Sequence, residues 1–559
     1  MHLSTAFKAL ATSALLAQSA AALQAVTRSG RYLYTADGNR FYIKGIAYQE
    51  QGVVLSDSNA PFSEPSTFID PLADGDACAR DLPFLQQLGV NAIRVYSVNA
   101  SLNHDSCMSA LSGAGIYTII DLSLPLNGSI DRTAPAWSAN LQDSYIETIN
   151  VFKKYDNVLA YNVGNEVVTA PNETSIAPFI KAAARDTKAY LASQNLNTLV
   201  GYAAIDGDAT WVDPLANFLS CDSESDAIDL FGLNNYEWCG DSTFEDSYAG
   251  IEGAFAGYNV AAYFSEFGCI TSPPRLWTEV QALFSDQMSP VWSGGIAFSY
   301  FPAESAQGEF GMVTISGSTV TPNSDFTRLV AQYGNATGPN SPSQASAGAA
   351  TYPTCPTANS SFLASTTLPP TPNDTACACV VNSLSCLFTP QTANTTGILG
   401  PLLDTGCSLL GSAGGNCNDI SGNGQTGTYG RLEFCDPSTK LSFVMTSYYE
   451  ATNRNAQSCD FSGNATINKN APSDTNAVNA AVSACLANSA AVFTPTTPST
   501  SGSGGSGSSG SGSSGSGSSS SSKNAALGQR GLLMDVKSGA IGTALMLVVT
   551  VAAGFMTLA

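Results

Sequence analysis

Two glutamates end apolar runs in a way that the burial of a core does not require. The run Val158–Glu166 (VLAYNVGNE) breaks into small and polar residues and closes on Glu166. The run Val260–Gly268 (VAAYFSEFG) repeats the design, with Glu266 between Phe264-Ser265 and Phe267-Gly268. Two carboxyl groups facing each other can cleave a glycosidic bond. One is protonated to assist the departing oxygen, and the other is ionised to attack or to activate water. Their environments must therefore push their pKa values apart. Asn165, directly before Glu166, is an amide suited to a sugar hydroxyl, so Glu166 reads as the acid/base and Glu266 as the nucleophile. Tyr96, Tyr236 and Tyr300 lie near the ends of other apolar runs, and each offers a sugar a stacking face and a hydroxyl. Tyr236 is the candidate to hydrogen-bond the nucleophile. Asp121 and Asp206 close two further runs and are placed to bind hydroxyls.

Rival chemistries lack residues. The chain has two histidines, His2 and His104, and the first falls in a segment expected to be removed. One histidine cannot build a histidine-rich metal centre, and His104, in a turn-like NHDSC context, reads as a surface or helix-capping residue. Proton transfer falls to carboxylates and tyrosines. No cofactor and no metal is expected. A net charge of −22 argues against a nucleic-acid or anionic-membrane partner.

Positioning two strand-end acids requires a scaffold that brings strand ends together. Strands are predicted over Phe41–Gln49, Ala92–Asn99, Tyr117–Ser123, Val158–Glu166, Leu199–Asp206, Asp229–Trp238, Val260–Gly268 and Gly294–Phe301. Helical patterns lie between them, over Ala77–Leu88, Trp137–Tyr155, Thr174–Gln194, Pro214–Cys221, Ser247–Phe255, Thr278–Phe284 and Asp325–Tyr333. Eight such units in about 300 residues is the count of an α/β fold of the (β/α)8 TIM-barrel type, whose chemistry sits at the C-terminal ends of the strands. The glutamates fall there, on the fourth and seventh strands, which face each other across the mouth. That placement is compatible with a separation of roughly 5 Å, that of a retaining enzyme.

The ends of the chain read as processing signals. Lys8, an apolar run and Gln18-Ser19-Ala20-Ala21-Ala22 form a secretory signal over residues 1–22. Gly539–Ala559 is uncharged, nothing charged follows it, and small residues around Asn524-Ala525-Ala526 precede the polar spacer upstream of it. That order is a glycosylphosphatidylinositol (GPI) signal with Asn524 as attachment point, giving a propeptide over 525–559. Secretion makes disulfides of the 14 cysteines. It also makes acceptors of the sequons at Asn99, Asn127, Asn172, Asn335, Asn359, Asn373, Asn394 and Asn464, of which Asn99 and Asn127 fall near the cleft and are expected bare. The catalytic domain is assigned to 23–337, a Pro/Ser/Ala/Gly linker to 338–370, and a small disulfide-rich, mainly helical domain to 371–490. Eight cysteines there, without a nearby histidine, read as a bridge framework and not as a metal site. Residues 491–524 form a Ser/Gly-rich stalk.

The segments AYNVGNE, FSEFG, IRVYSVN, FGLNNYEWCG and GGIAFSYF resemble the fungal β-1,3-glucanosyltransferases of glycoside hydrolase family 72, glycolipid-anchored enzymes of the cell wall. The cysteine-rich part resembles the Cys-box carbohydrate-binding module of family 43. The resemblance spans about residues 25–490 and implies the substrate, β-1,3-glucan as both donor and acceptor. It implies a monomeric enzyme that cuts the chain internally and transfers the donor fragment to the non-reducing end of another chain. It implies the same roles for Glu166, Asn165 and Glu266, cleft positions for Tyr96, Asp206, Tyr236 and Tyr300, and donor contacts from Ser123–Asp131, including Ser123, Asn127 and Asp131. The implied bridges are Cys78–Cys107, Cys221–Cys355, Cys239–Cys269, Cys377–Cys435, Cys379–Cys485, Cys386–Cys459 and Cys407–Cys417. Two departures stand out. No Arg follows Asp206 where the family commonly carries one, and Phe301-Pro302-Ala303-Glu304 replaces an acidic or amide-rich patch. The alternatives are an endo-β-1,3-glucan hydrolase and, from another class, a non-catalytic wall-binding protein.

Overall fold

A computed structural model describes residues 23–50, 69–123, 130–305 and 307–487, with the backbone of two short strands, Val54–Leu55 and Glu64–Pro65. The signal segment, Asn127, the stalk, Asn524 and the apolar C-terminal run lie outside the described residues. Among the described residues no helix is long and apolar enough to cross a membrane.

Eight parallel strands close into a barrel: β1 Ile43–Ala47, β2 Ala92–Val95, β3 Tyr117–Asp121, β4 Val158–Asn165, β5 Leu199–Ile205, β6 Leu230–Asn234, β7 Ala261–Phe267 and β8 Trp292–Ala297. Each strand pairs with its sequence neighbours, and β8 closes on β1 through Gly294–Ile43 to Ala297–Ile46. The strands are apolar along nearly their whole length because both faces are covered, the inner by the barrel core and the outer by helices. Ile43, Ala92, Ile119, Leu159, Leu230, Tyr263 and Ile296 fill the interior. A hairpin of Val26–Ser29 and Tyr32–Thr35 adds Val26 and Leu33 to that interior cluster.

The first five helices are α1 Gly75–Leu88, α2 Asp105–Gly113, α3 Ala139–Phe152, α4 Ala177–Ser193 and α5 Ala209–Leu219. Helix α2 corrects the sequence reading, which has a turn at NHDSC. Its nine residues, three of them Ser, carry too little periodicity to register. His104 precedes it but makes no side-chain cap bond. It stands at the N-cap position, where its carbonyl accepts from Met108 N, and it is buried, 1% exposed, with Nε2 2.8 Å from Asp70 Oδ2, so it is not a surface residue.

Segment 338–370 also differs from a free linker. Tyr42 Oη donates to Pro339 O at 2.8 Å, Cys355 is bonded to Cys221, and buried Phe362 packs on Phe218. Arg185 Nη1 donates to Pro369 O at 3.1 Å. Small and proline-rich composition marks irregular backbone, and here that backbone is strapped to the barrel wall. The strap covers the polar side of α4, where Lys181 is 2% exposed and donates to the carbonyls of Phe218 and Cys221, each at 2.8 Å.

The cysteine-rich region has helices Asp374–Ser383, Thr396–Ser412, Pro437–Ala451 and Thr475–Leu486 and a two-stranded antiparallel sheet of Cys386–Phe388 with Ala465–Ile467. Its core is small, built on Val380, Leu384, Leu432, Phe434, Val478 and Val482, and four disulfides brace it. All seven bridges of the chain are the pairs the resemblance implies. Barrel and cysteine-rich region belong to one compact unit. Ala139 N at the start of α3 donates to Phe434 O at 2.8 Å, and Phe179 of α4 meets Tyr429 edge-on at 5.7 Å.

Candidate active site

The residue that closes β4 is held in an uncommon backbone state. Glu166 has φ +48°, a left-handed conformation that costs a non-glycine residue roughly 1–2 kcal/mol. The strand prepares this turn. The β4–β5 register shifts between Asn162 and Asn165, and Gly164 lets the chain pass Tyr202, whose ring a Cβ would meet at 3.0 Å. The turn's backbone groups are then secured one by one. Glu166 N donates to Ala203 O at 2.8 Å, and Tyr202 Oη accepts from Val167 N and Val168 N at 3.1 and 3.3 Å. Arg132 donates to Glu166 O (2.6 Å) and Val167 O (3.0 Å). Strain of this kind clusters where geometry serves a function.

Glu266 sits in β7 opposite Asn234 of β6, where the register also shifts. It is 8% exposed and surrounded by donors. Its Oε1 accepts from Tyr96 Oη at 2.8 Å and Arg94 Nη1 at 3.3 Å, and its Oε2 accepts from Tyr236 Oη at 2.7 Å. The hydroxyls of Tyr96 and Tyr236 thus meet on one carboxylate from the second strand and from the end of the sixth.

Between the glutamates lies a polar bridge that the sequence reading missed. Asn234 Nδ2 donates to Glu166 Oε1 at 2.7 Å, while its Oδ1 accepts from Ser265 Oγ at 2.7 Å and Arg94 Nη1 at 3.3 Å. Arg94, fully buried, also donates to Asn165 Oδ1 at 2.7 Å and Asp121 Oδ2 at 2.8 Å. Asn165 Oδ1 accepts from Asn234 as well, at 3.1 Å, which turns its amide nitrogen away from the bridge. That nitrogen has no hydrogen bond among the described residues. The signal for Arg94 was present in the sequence: a lone Arg in the apolar strand AIRV has to be paired.

This surrounding separates the two acids. Glu166 is pushed up to about 7, first by burial and then by the charge of Glu266, against Asn234, Arg94 and Arg132. Burial pushes Glu266 up too, but Arg94, Tyr236 and Tyr96 all act against it by stabilising its charged form. Three charge-stabilising bonds favour the ionised form of Glu266, while burial and, among the described residues, one amide donor favour the protonated form of Glu166.

The remaining predicted residues divide. Asp206 is half-buried near the mouth, accepts from Asn235 Nδ2 at 2.7 Å and from Gly207 N at 2.8 Å, and is raised to about 7 by burial and by Glu237. Asp121 is 1% exposed and taken up by Arg94 and by Asn162 Nδ2 (2.7 Å), so it braces the bridge and does not face a sugar. Tyr300 is fully buried behind β8, where its hydroxyl donates to Asp81 Oδ1 at 3.1 Å. The strand stops at Ala297, and it is Phe298, half-buried, whose ring stands edge-on to Tyr96 (6.3 Å) and Tyr236 (6.4 Å). Ser123 is buried, and Asp131 is exposed and accepts from Thr133 N and Oγ1 at 2.7 and 2.8 Å; neither bonds the glutamates.

A family model described as glucanosyltransferase matches residues 14–337, and one described as X8 domain matches residues 384–466. The chain is similar to 1,3-beta-glucanosyltransferase gas1 of Schizosaccharomyces pombe, 39% identical over 462 residues that cover 82% of this chain and 81% of that one. It is similar to 1,3-beta-glucanosyltransferase GAS2 of Saccharomyces cerevisiae, 36% identical over 440 residues, 77% of each chain. Among solved structures, a mutant of Saccharomyces cerevisiae Gas2p in complex with laminaritetraose and laminaripentaose matches with a TM-score of 0.72 at 34% identity, covering 82% of this chain and 98% of that one.

Proposed function

The chain belongs to the glucanosyltransferase family, glycoside hydrolase family 72, and from that premise we propose how its own site works on β-1,3-glucan. It is a retaining 1,3-β-glucanosyltransferase. Glu166 gives its proton to the glycosidic oxygen of an internal linkage while a carboxylate oxygen of Glu266 bonds to the anomeric carbon and the reducing-end fragment leaves. The donor fragment stays as a glycosyl ester on Glu266. Glu166, now ionised, takes the proton of a hydroxyl at the non-reducing end of a second chain, which displaces Glu266 and lengthens that chain. The observation that carries this reading is the bridge Glu166–Asn234–Arg94–Glu266, which ties the two acids together and gives them unlike surroundings.

Tyr96, Tyr236 and Phe298 line the mouth beside Glu266 and offer sugars ring faces and edges, and Asn165 offers its free amide nitrogen to a hydroxyl. In this reading the acceptor sugar held there replaces water. The protein acts as a monomer at the cell surface, delivered by the signal over 1–22 and held by lipid at Asn524, with the cysteine-rich domain beside its barrel.

Incubation with one laminari-oligosaccharide of defined length tests the reading. Products longer than the substrate are expected, and products that are only shorter would reduce the protein to a hydrolase. The rate should follow a bell in pH. Its basic limb falls near 7, where Glu166 loses the proton it must donate, and its acidic limb reports protonation of Glu266. A pH profile that stays flat from 6 to 9 would remove Glu166 from the acid role.

A further inference from the structure

We infer that Arg132, which follows the third strand and touches neither reacting group, is a positioning residue for the catalytic acid; the inference rests on the reading of Glu166 given above. The geometry is specific to the acid's own backbone. Arg132 Nη2 donates to Glu166 O at 2.6 Å and Nε to Val167 O at 3.0 Å, so one planar guanidinium grips two successive carbonyls of the left-handed turn. The turn's N–H groups are already held by Ala203 O and Tyr202 Oη. Its two carbonyls depend on Arg132. Among the described residues the Glu166 side chain has a single bond, from Asn234, so the direction in which its carboxyl points is set largely by the backbone behind it.

Arg132 also brings the positive charge that stands behind the acid. Burial and Glu266 hold the proton on Glu166, and Arg94 and Arg132 pull the other way. A guanidinium on the backbone side therefore aims the carboxyl and keeps its proton transferable. Lysine cannot replace this: it supplies the charge as a point on a flexible stem and cannot grip two carbonyls in one plane.

The experiment uses the full chain with Arg132→Met and Arg132→Lys, assayed for elongation of a laminari-oligosaccharide and for cleavage of a laminari-oligosaccharide donor carrying a dinitrophenolate leaving group. Misaiming the acid should lower kcat for the natural donor by roughly 10- to 100-fold and leave KM within about twofold, since uniform binding is untouched. The activated donor needs no proton, so glycosyl-ester formation from it should stay near the wild-type rate. In Arg132→Met the basic limb of the pH profile should move to higher pH, because a nearby positive charge is gone. In Arg132→Lys the limb should stay while kcat falls. Wild-type kcat and pH limb in Arg132→Met would overturn the inference, and so would an equal loss on both donors, which marks a general defect of folding. If Arg132→Met does not fold, an unchanged kcat in Arg132→Lys overturns it alone. Failure of the wild type to elongate any oligosaccharide would instead remove the functional reading beneath it.

Discussion

Glu266→Gln is expected to lower elongation by at least about 10⁴-fold, the scale of losing a covalent nucleophile. The amide keeps the size of the side chain but cannot form the glycosyl ester. It also fits its surroundings poorly: Tyr96, Tyr236 and Arg94 all donate to Glu266, and a glutamine has one acceptor oxygen where the carboxylate has two. Glu166→Gln should be milder, about 10²- to 10⁴-fold, as for loss of a general acid. Azide separates the roles further when an activated donor is supplied. In Glu266→Ala, azide attacks from the vacated face and yields an α-glycosyl azide. In Glu166→Ala the ester on Glu266 still forms, and azide displaces it to give the β-anomer. The opposite pairing of anomer and variant would exchange the two roles, and elongation at the wild-type rate in Glu266→Gln would end the mechanism.

The positions of the two acids were legible because each ends a run of buried residues, and the alternation of eight such runs with helices left few folds to consider. Residues one or two positions past a strand end were harder. Whether Tyr300 or Phe298 faces the mouth depends on where β8 stops, because a strand running on to Phe301 would put these two residues, two positions apart, on the same face. The sequence reading carried the strand on to Phe301, whereas it ends at Ala297. Asp121 was found at the right place and given the wrong duty, since only the fold shows Arg94 and Asn162 closing over it. Arg132 had no local signal at all, because its partners lie 34 and 35 positions away, past the end of the neighbouring strand β4. The strap at 338–370 failed to register for a related reason. Its contacts are carbonyls, one disulfide and single rings, none of which gives a pattern along the chain. The bridges themselves followed from family resemblance, since spacing leaves the pairing open.

Arg94→Met should affect both stability and activity, and for the same reason. Arg94 is fully buried and donates to Asp121, Asn165, Asn234, Ser265 O and Glu266. A methionine fills much of the volume but leaves Asp121 and Glu266 as buried carboxylates without their cation. Breaking a buried pair from one side costs about 3–5 kcal/mol, which in a unit of this size corresponds to a fall in Tm of about 3–5 °C. Neutralising the stranded partner should recover part of it, so Arg94→Met with Asp121→Asn should be more stable than Arg94→Met alone. That recovery assigns the cost to unpaired charge and not to packing. Catalysis should change in a direction set by sign. Arg94 favours the ionised form of Glu266, so without it the Glu266 carboxyl titrates higher and the acidic limb of the pH profile moves up. The window between that limb and the basic limb near 7 then narrows, and the maximal rate falls even where the protein remains folded. Arg94→Lys keeps a charge but not the fork that spans Asp121 and Asn165, and should lie between the two. A wild-type Tm together with an unmoved acidic limb in Arg94→Met would mean that the bridge between the glutamates neither holds the barrel mouth nor sets the charge on its nucleophile.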